Sequence, residues 1–319
     1  MRRTNTLVFM ALGGMALAPA GFASAQQAWL PPKGEASLSL GFSHTFATEH
    51  VDYRGNPVAP GDMIWNNVVS DLSYSVTDRF AVRMTLPPLV ISKYDGSFPH
   101  PPVPNRTNLD DGAWHDTFQD FRGEVRFRAT HGPIMVTPFA ALIVPSHHYE
   151  YYGHPAAGRK LVEGQVGFAA ARLLDPLLPN AYVQVRYLFG VPERVLGISH
   201  DRSQVSLDAG YLIGPAFTVR FLGAWQKSHG GWRVPIDWPA RTSPLYQVHD
   251  QVEREDYLQL GGAVSYALTG TVDVNAFGYS TVSARNYVNM KGLGLSLTYS
   301  ASPAQLIRRK RRQDGPSQP

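Results

Sequence analysis

No cysteine occurs among the 319 residues, which excludes a disulfide framework and a thiolate metal centre. Stability has to come from packing and backbone pairing. Long apolar runs are also lacking. The one candidate, Leu7 to Ala18, falls short of the about 18 to 20 residues that a helix needs to cross a bilayer, so helical anchoring has no support. Nor does the body carry an excess of one charge. Arg2 and Arg3 supply +2 of the formal +4, and the tail with Arg308, Arg309, Lys310, Arg311, Arg312 and Asp314 supplies +4, which leaves the rest near −2. Nucleic-acid binding by the body has no basis in that balance.

What is present begins with an export signal. Arg2 and Arg3, the short apolar run and Ala23-Ser24-Ala25 before Gln26 form the basic, apolar and small-x-small regions of a secretory signal peptide. Residues 1–25 are therefore expected to be cleaved, 26–302 to form the folded body, and the basic segment 303–319 to be a disordered tail.

The body alternates. In FQDFRGEVRFRA, from Phe118, the residues Asp120, Arg122, Glu124, Arg126 and Arg128 take every second position, and Phe121, Gly123, Val125, Phe127 and Ala129 take the others. A period of two puts the two sets on opposite faces of a strand. Alone, this pattern equally fits a half-buried strand of a soluble sandwich. It repeats, however, in Leu38, Leu40 and Phe42; in Leu72, Tyr74 and Val76; in Val183, Val185, Tyr187 and Phe189; in Phe217, Val219, Phe221 and Trp225; and in Leu293, Leu295, Leu297 and Tyr299. About 12 such segments can be counted, an even number typical of bacterial barrels. The weakest is Ile134 to Pro145, apolar on both faces and interrupted by Pro138.

The connections alternate as well. Short turns at Thr77-Asp78, Thr130 to Pro133, Asp175 to Asn180, Gly214-Pro215 and Thr269-Gly270 are separated by longer loops at 49–62, 92–115, 148–163, 191–203 and 229–251. A meander through a membrane has this form, with one rim periplasmic and the other outside. The expected fold is an all-β, transmembrane, antiparallel up-and-down β-barrel of about 12 strands, with long extracellular loops and short periplasmic turns, in the outer membrane. Loops 92–115 and 229–251 would gate the outer mouth.

LPPKGEASLSLGF, TDRFAVRMTLP, FQDFRGEVRF with TPFAALIVPS, and the end from YLQLGGAVSYALTG to GLGLSLTYS resemble the outer-membrane transporter-like proteins grouped under the phenol-degradation MetA-pathway name. That resemblance spans nearly all of the mature chain. It implies a barrel channel for passive uptake of small organic compounds, often aromatic or apolar. Gly294, Leu297 and Tyr299 also resemble the terminal segment by which such barrels are handed to their assembly machinery, although Gly292 stands where a polar residue is usual and the chain runs on past Tyr299.

In a barrel surrounded by lipid, charges belong inside, because an outward Arg costs about 2 to 4 kcal/mol at the midplane. Arg83, Arg122, Glu124, Arg126, Arg128, Arg186, Asp208 and Arg220 are thus the expected lumen and selectivity set. Arginines could favour anions or polarisable rings; the plainer alternative is a salt-bridge network that braces the wall. The expected partners are outer-membrane lipids, a small-molecule solute and the assembly machinery.

Histidines concentrate on the outer side, with only His131 at an inner turn, and His147-His148 with His154 offer donors for a borderline metal. Their spacing lacks the specificity of a helical metal motif, and neither a metal site nor a cofactor is assigned. Catalysis would need a Ser and His in hydrogen-bond reach. Ser43-His44 and Ser146-His147 are adjacent, which on a strand sends them to opposite faces, so no catalytic residue is assigned. The competing functions are a closed structural or adhesin-like barrel and a lipid-modifying barrel enzyme.

Overall fold

The computed structural model describes residues 27–233 and 242–302. The expected signal peptide, the basic tail and part of the 229–251 loop lie outside the described residues. The strands are β1 (Ala36–Val51), β2 (Pro57–Ser75), β3 (Phe80–Gly96), β4 (His115–Phe118), β5 (Asp120–Phe127), β6 (Ile134–Pro145), β7 (Glu163–Leu173), β8 (Ala181–Pro192), β9 (Arg202–Ile213), β10 (Phe217–Ser228), β11 (Asp256–Ala267), β12 (Val272–Arg285) and β13 (Tyr287–Ala301). Two one-turn helices, α1 (Pro244–Gln247) and α2 (His249–Val252), precede β11.

Apart from β4 and β5, each strand pairs antiparallel with its sequence neighbours, and β13 returns to β1 through Leu38↔Tyr299, Leu40↔Leu297 and Phe42↔Leu295. The sheet is closed, and only the short β4 is paired on a single side. β4 and β5 both lie on β3 and form a single crossing broken at Gln119, which gives a 12-strand barrel. The break has a local cause. Pro87 and Pro88 remove two ladder donors from the middle of β3; opposite them the β2 ladder shifts register between Val68 and Ser70, and on the other side Gln119 N donates to Pro88 O at 2.9 Å.

The alternation settles into two surfaces. Leu40, Phe42, Phe121, Val125, Val166, Phe221, Tyr266, Leu293 and Leu295 are exposed on the outside, while Ser43, Asn67, Asp71, Glu124, Gln184, Asp208, Arg220 and Thr298 are buried within. An apolar exterior around a polar interior is the reverse of a water-soluble barrel and is stable where the surroundings are hydrocarbon. β6 shows why both of its faces read as apolar. Its inward Met135 packs with Ala28, Ala169 and Ala171, and the inward Phe139 ring lies 3.7 Å below the Arg186 guanidinium carbon.

The five short turns share one rim, as expected. The other rim differs from the sequence reading at one loop. The expected 49–62 loop is instead a continuation of the β1–β2 hairpin, with pairing up to Val51↔Pro57. Asp52 makes the tight turn possible: its Oδ1 accepts from Arg54 N at 2.7 Å and from Asn56 N at 2.9 Å, an Asx-type closure. The turn at Asn286 docks on it, with Asn286 N donating to Asp52 O at 2.9 Å.

Candidate functional site

The lumen is built from three layers of contacts. In the wall, β5 delivers Arg122, Glu124 and Arg126 to the inside at successive inward positions, and the carboxylate of Glu124 is the hub. It meets Arg122 at 2.5 Å, Arg186 of β8 at 2.7 Å and Arg126 at 3.6 Å. Arg83 pairs with Asp71 at 3.1 Å. Arg220 pairs with Asp208 at 2.6 Å, and Tyr182 donates to the same carboxylate at 3.1 Å. All eight expected lumen residues therefore point inward, but they do not form one ladder. Arg122, Glu124, Arg126 and Arg186 make one cluster, Asp208 and Arg220 make another, Arg83 pairs with Asp71, and Arg128 stands apart with a different task.

That task is to hold the segment before β1. Residues 27–30 enter the barrel from the short-turn rim. Ala28 N donates to Gln184 Oε1 at 2.8 Å, Thr137 Oγ1 donates to Ala28 O at 2.7 Å, and Arg128 Nη2 donates to Leu30 O at 3.0 Å. Arg186 Nη1 reaches Gln27 Oε1, and Trp29 meets Tyr182 edge to face at 5.8 Å. Ala169 and Ala171, small at inward positions of β7, leave the space that Ala28 fills. Sequence reasoning treated this stretch only as the start of the mature chain. Its signal was the apolar Ala28-Trp29-Leu30 ahead of Pro31-Pro32, outside the alternating pattern.

The outer mouth is covered by residues 97–114, 146–162 and 242–255. Tyr152 donates to Pro101 O at 2.8 Å and packs with Val103 and Tyr246, so the three loops share a small apolar core. Around it stands a polar cluster. His100 Nδ1 and His154 Nδ1 each donate to Asp110 Oδ2 at 2.6 Å, and His249 Nε2 lies 3.0 Å from His100 Nε2 and 3.1 Å from Asp250 Oδ1. Burial opposes the charge on His100, but Asp250 and the hydrogen bond to Asp110 outweigh it and push its pKa up to about 10. Burial also opposes ionisation of Asp110 and Asp250; their histidine neighbours prevail and hold both below the usual carboxylate range. His154 is pushed down, mainly by burial.

This grouping corrects two sequence expectations. His154 joins His100 and His249, not His147 and His148. The latter two are exposed, His147 bonded to Ser146 and Thr117 and His148 to Lys160. Ser146 and His147 do meet, at 2.9 Å, because they follow the end of β6, where the strand rule that separates neighbours no longer applies. The second ring nitrogen of His147 is bonded to Thr117 Oγ1 at 3.2 Å, so a hydroxyl and not a carboxylate orients the imidazole.

Between the inner segment and the outer cover lies a cavity of about 430 Å³. Gln27 touches it from below and His100, Tyr151, His154 and Asp250 from above; Arg83, Arg122 and Arg186 reach it from the wall, with Trp65, Tyr257 and Tyr287. Glu124, Arg126, Arg128, Asp208 and Arg220 do not line it.

The chain is similar in fold to the COG4313 outer membrane channel from Pseudomonas putida F1, with a TM-score of 0.66 over 88% of this chain and 100% of that one, at 12% identity. The fold is that of an outer-membrane β-barrel. Weaker likenesses link the barrel to a KdgM porin (TM-score 0.43, 6% identity, 82% of this chain and 98% of that one) and to the translocator domain of the autotransporter NalP from Neisseria meningitidis (TM-score 0.47, 10% identity, 84% and 89%). No protein-family model matches the barrel's sequence, so the resemblance to the MetA-pathway group is not carried by a family match. No curated protein matches it either.

Proposed function

We propose that this chain is an outer-membrane channel for passive uptake of small organic compounds, aromatic or apolar ones among them, exported by its N-terminal signal and assembled through β13. The observation that carries the reading is the cavity inside the barrel. Its volume falls within the roughly 300 to 1,000 Å³ of small-molecule sites, and its lining includes both aromatic rings and guanidinium groups. Such a surface suits a planar organic solute better than an ion alone, because rings and guanidinium planes both stack on an aromatic guest. Likeness to a solved outer membrane channel agrees with this reading.

Within it, Arg83, Arg122 and Arg186 are the members of the lumen set that meet the solute, and Glu124, Arg126, Asp208 and Arg220 brace the wall. The channel works without cofactor, energy coupling or catalysis. A closed structural barrel is the second reading, favoured by the segment at residues 27–30 and by the loop cover.

Purified protein in planar bilayers and in liposomes separates the two. Solute flux that prefers aromatic acids or neutral aromatics over sugars of similar size is expected. Absence of both conductance and flux would overturn the channel reading and favour the closed barrel.

A further inference from the structure

We propose that His100, His249 and Asp250 form a binding site for one divalent transition-metal ion of the zinc class, which ties two outer loops together over the mouth of the barrel. His100 comes from the loop between β3 and β4, and His249 and Asp250 start α2, so the ligands are separated by about 150 positions in sequence.

The donor atoms converge on one point. His100 Nε2 and His249 Nε2 lie 3.0 Å apart, His249 Nε2 and Asp250 Oδ1 3.1 Å, and His100 Nε2 and Asp250 Oδ1 3.6 Å. A tetrahedral zinc-class ion with bonds of about 2.0 to 2.2 Å sets its ligand atoms roughly 3.3 to 3.5 Å apart. The three observed edges bracket that figure. Two imidazoles and a carboxylate are also the donor types that borderline divalent ions select.

The orientation of each ligand is set from behind. His100 Nδ1 donates to the ionised Asp110 at 2.6 Å, and His249 Nδ1 donates to the carbonyl of Tyr246 at 2.6 Å. An acceptor at Nδ1 keeps a proton there, which leaves Nε2 as the nitrogen of each ring that can bind an ion. Asp250 is aimed in the same way, since its Oδ2 accepts from Gly153 N at 3.0 Å while Oδ1 faces the rings. In the ion-free protein a proton on His100 Nε2 fills the space among these atoms, and a divalent ion binds there by displacing it. His100 and Asp250 both border the cavity, so the fourth coordination position is open to water from that side, as in a site with three protein ligands.

The test uses the full chain, purified in detergent and stripped with a chelator, with Co²⁺ as a visible probe and Zn²⁺ as competitor. Heat-modifiable migration on gels selects folded protein. Saturable uptake of one ion per chain with the visible bands of a four- or five-coordinate Co²⁺ site is expected. Asp250→Asn and His249→Gln should each weaken it at least tenfold. Asp110→Asn, which removes the carboxylate that supports His100 from behind and also holds His154, should weaken it roughly 10- to 100-fold, and the double variant His147→Gln/His148→Gln should bind as the wild type does. The proposal is overturned if folded wild-type protein takes up no ion saturably, as it would where a shared proton alone joins the two rings, or if Asp250→Asn binds as tightly as wild type. Uptake by wild type is decisive even where a variant fails to fold, and it is independent of whether the barrel conducts.

Discussion

Arg186 Nη2 donates to Glu124 Oε2 at 2.7 Å across the lumen, joining β8 to β5 through side chains. Glu124 is fully buried and is shared with Arg122 and Arg126. Glu124→Gln would leave the buried guanidinium groups of Arg126 and Arg186, with the half-buried Arg122, around a neutral amide. Breaking a buried ion pair by removing one partner costs about 3 to 5 kcal/mol, and the variant should lose its folded, heat-modifiable form at clearly lower temperature. An unchanged unfolding midpoint would contradict the hub role.

Arg126 and Arg122 sit two residues apart and should behave differently. Arg126 is buried and does not line the cavity, so Arg126→Ala should lower stability by about 1 to 3 kcal/mol and leave conductance and ion selectivity as they are. Arg122, at the cavity wall, should shift selectivity towards cations when changed to Ala. Reversal-potential measurements on both proteins check this; equal shifts would mean that the two arginines share one role.

The inner segment predicts a change in conductance. Excision of residues 27–30 removes the contacts of Ala28 with Gln184 and Thr137 and of Leu30 with Arg128, and should raise single-channel conductance several-fold. Trp29→Ala should raise it less, since the backbone bonds remain. A conductance equal to that of the full chain after excision would show that the segment does not limit the path.

His200 supplies a pH dependence at the outer rim. It is fully buried, and burial, with Arg159 and Arg202 nearby, pushes its pKa down to about 4. Above its ordinary value of about 6.5 both folded and unfolded states are neutral here, and nothing changes. As pH falls from 6.5 towards 4, the unfolded chain binds a proton that the folded chain refuses, so stability drops, by on the order of 3 kcal/mol at the limit. Thermal unfolding measured between these pH values should show the loss, and His200→Leu should remove that part of it.

Much of this barrel was legible along the chain, because a strand's two faces are written at a spacing of two residues and the turns at one rim are short and local. Leu293, Leu295 and Leu297 point outward whatever their neighbours do, and the inward direction of Arg122 and Arg126 follows from the same count. The extended β1–β2 hairpin was not legible, since it depends on Asp52 closing a turn within a polar stretch that reads as loop.

Sequence alone therefore determined a closed, inside-out barrel of about 12 strands with its charges facing the lumen, as local periodicity repeated at every crossing demands. Only the tertiary structure decided which charges meet. Glu124 and Arg186 are 62 residues apart and His100 and His249 are 149 apart. Their contacts are fixed by strand register around the barrel and by the packing of three loops over its mouth. Register is a property of the closed sheet as a whole, and no spacing within one segment encodes it.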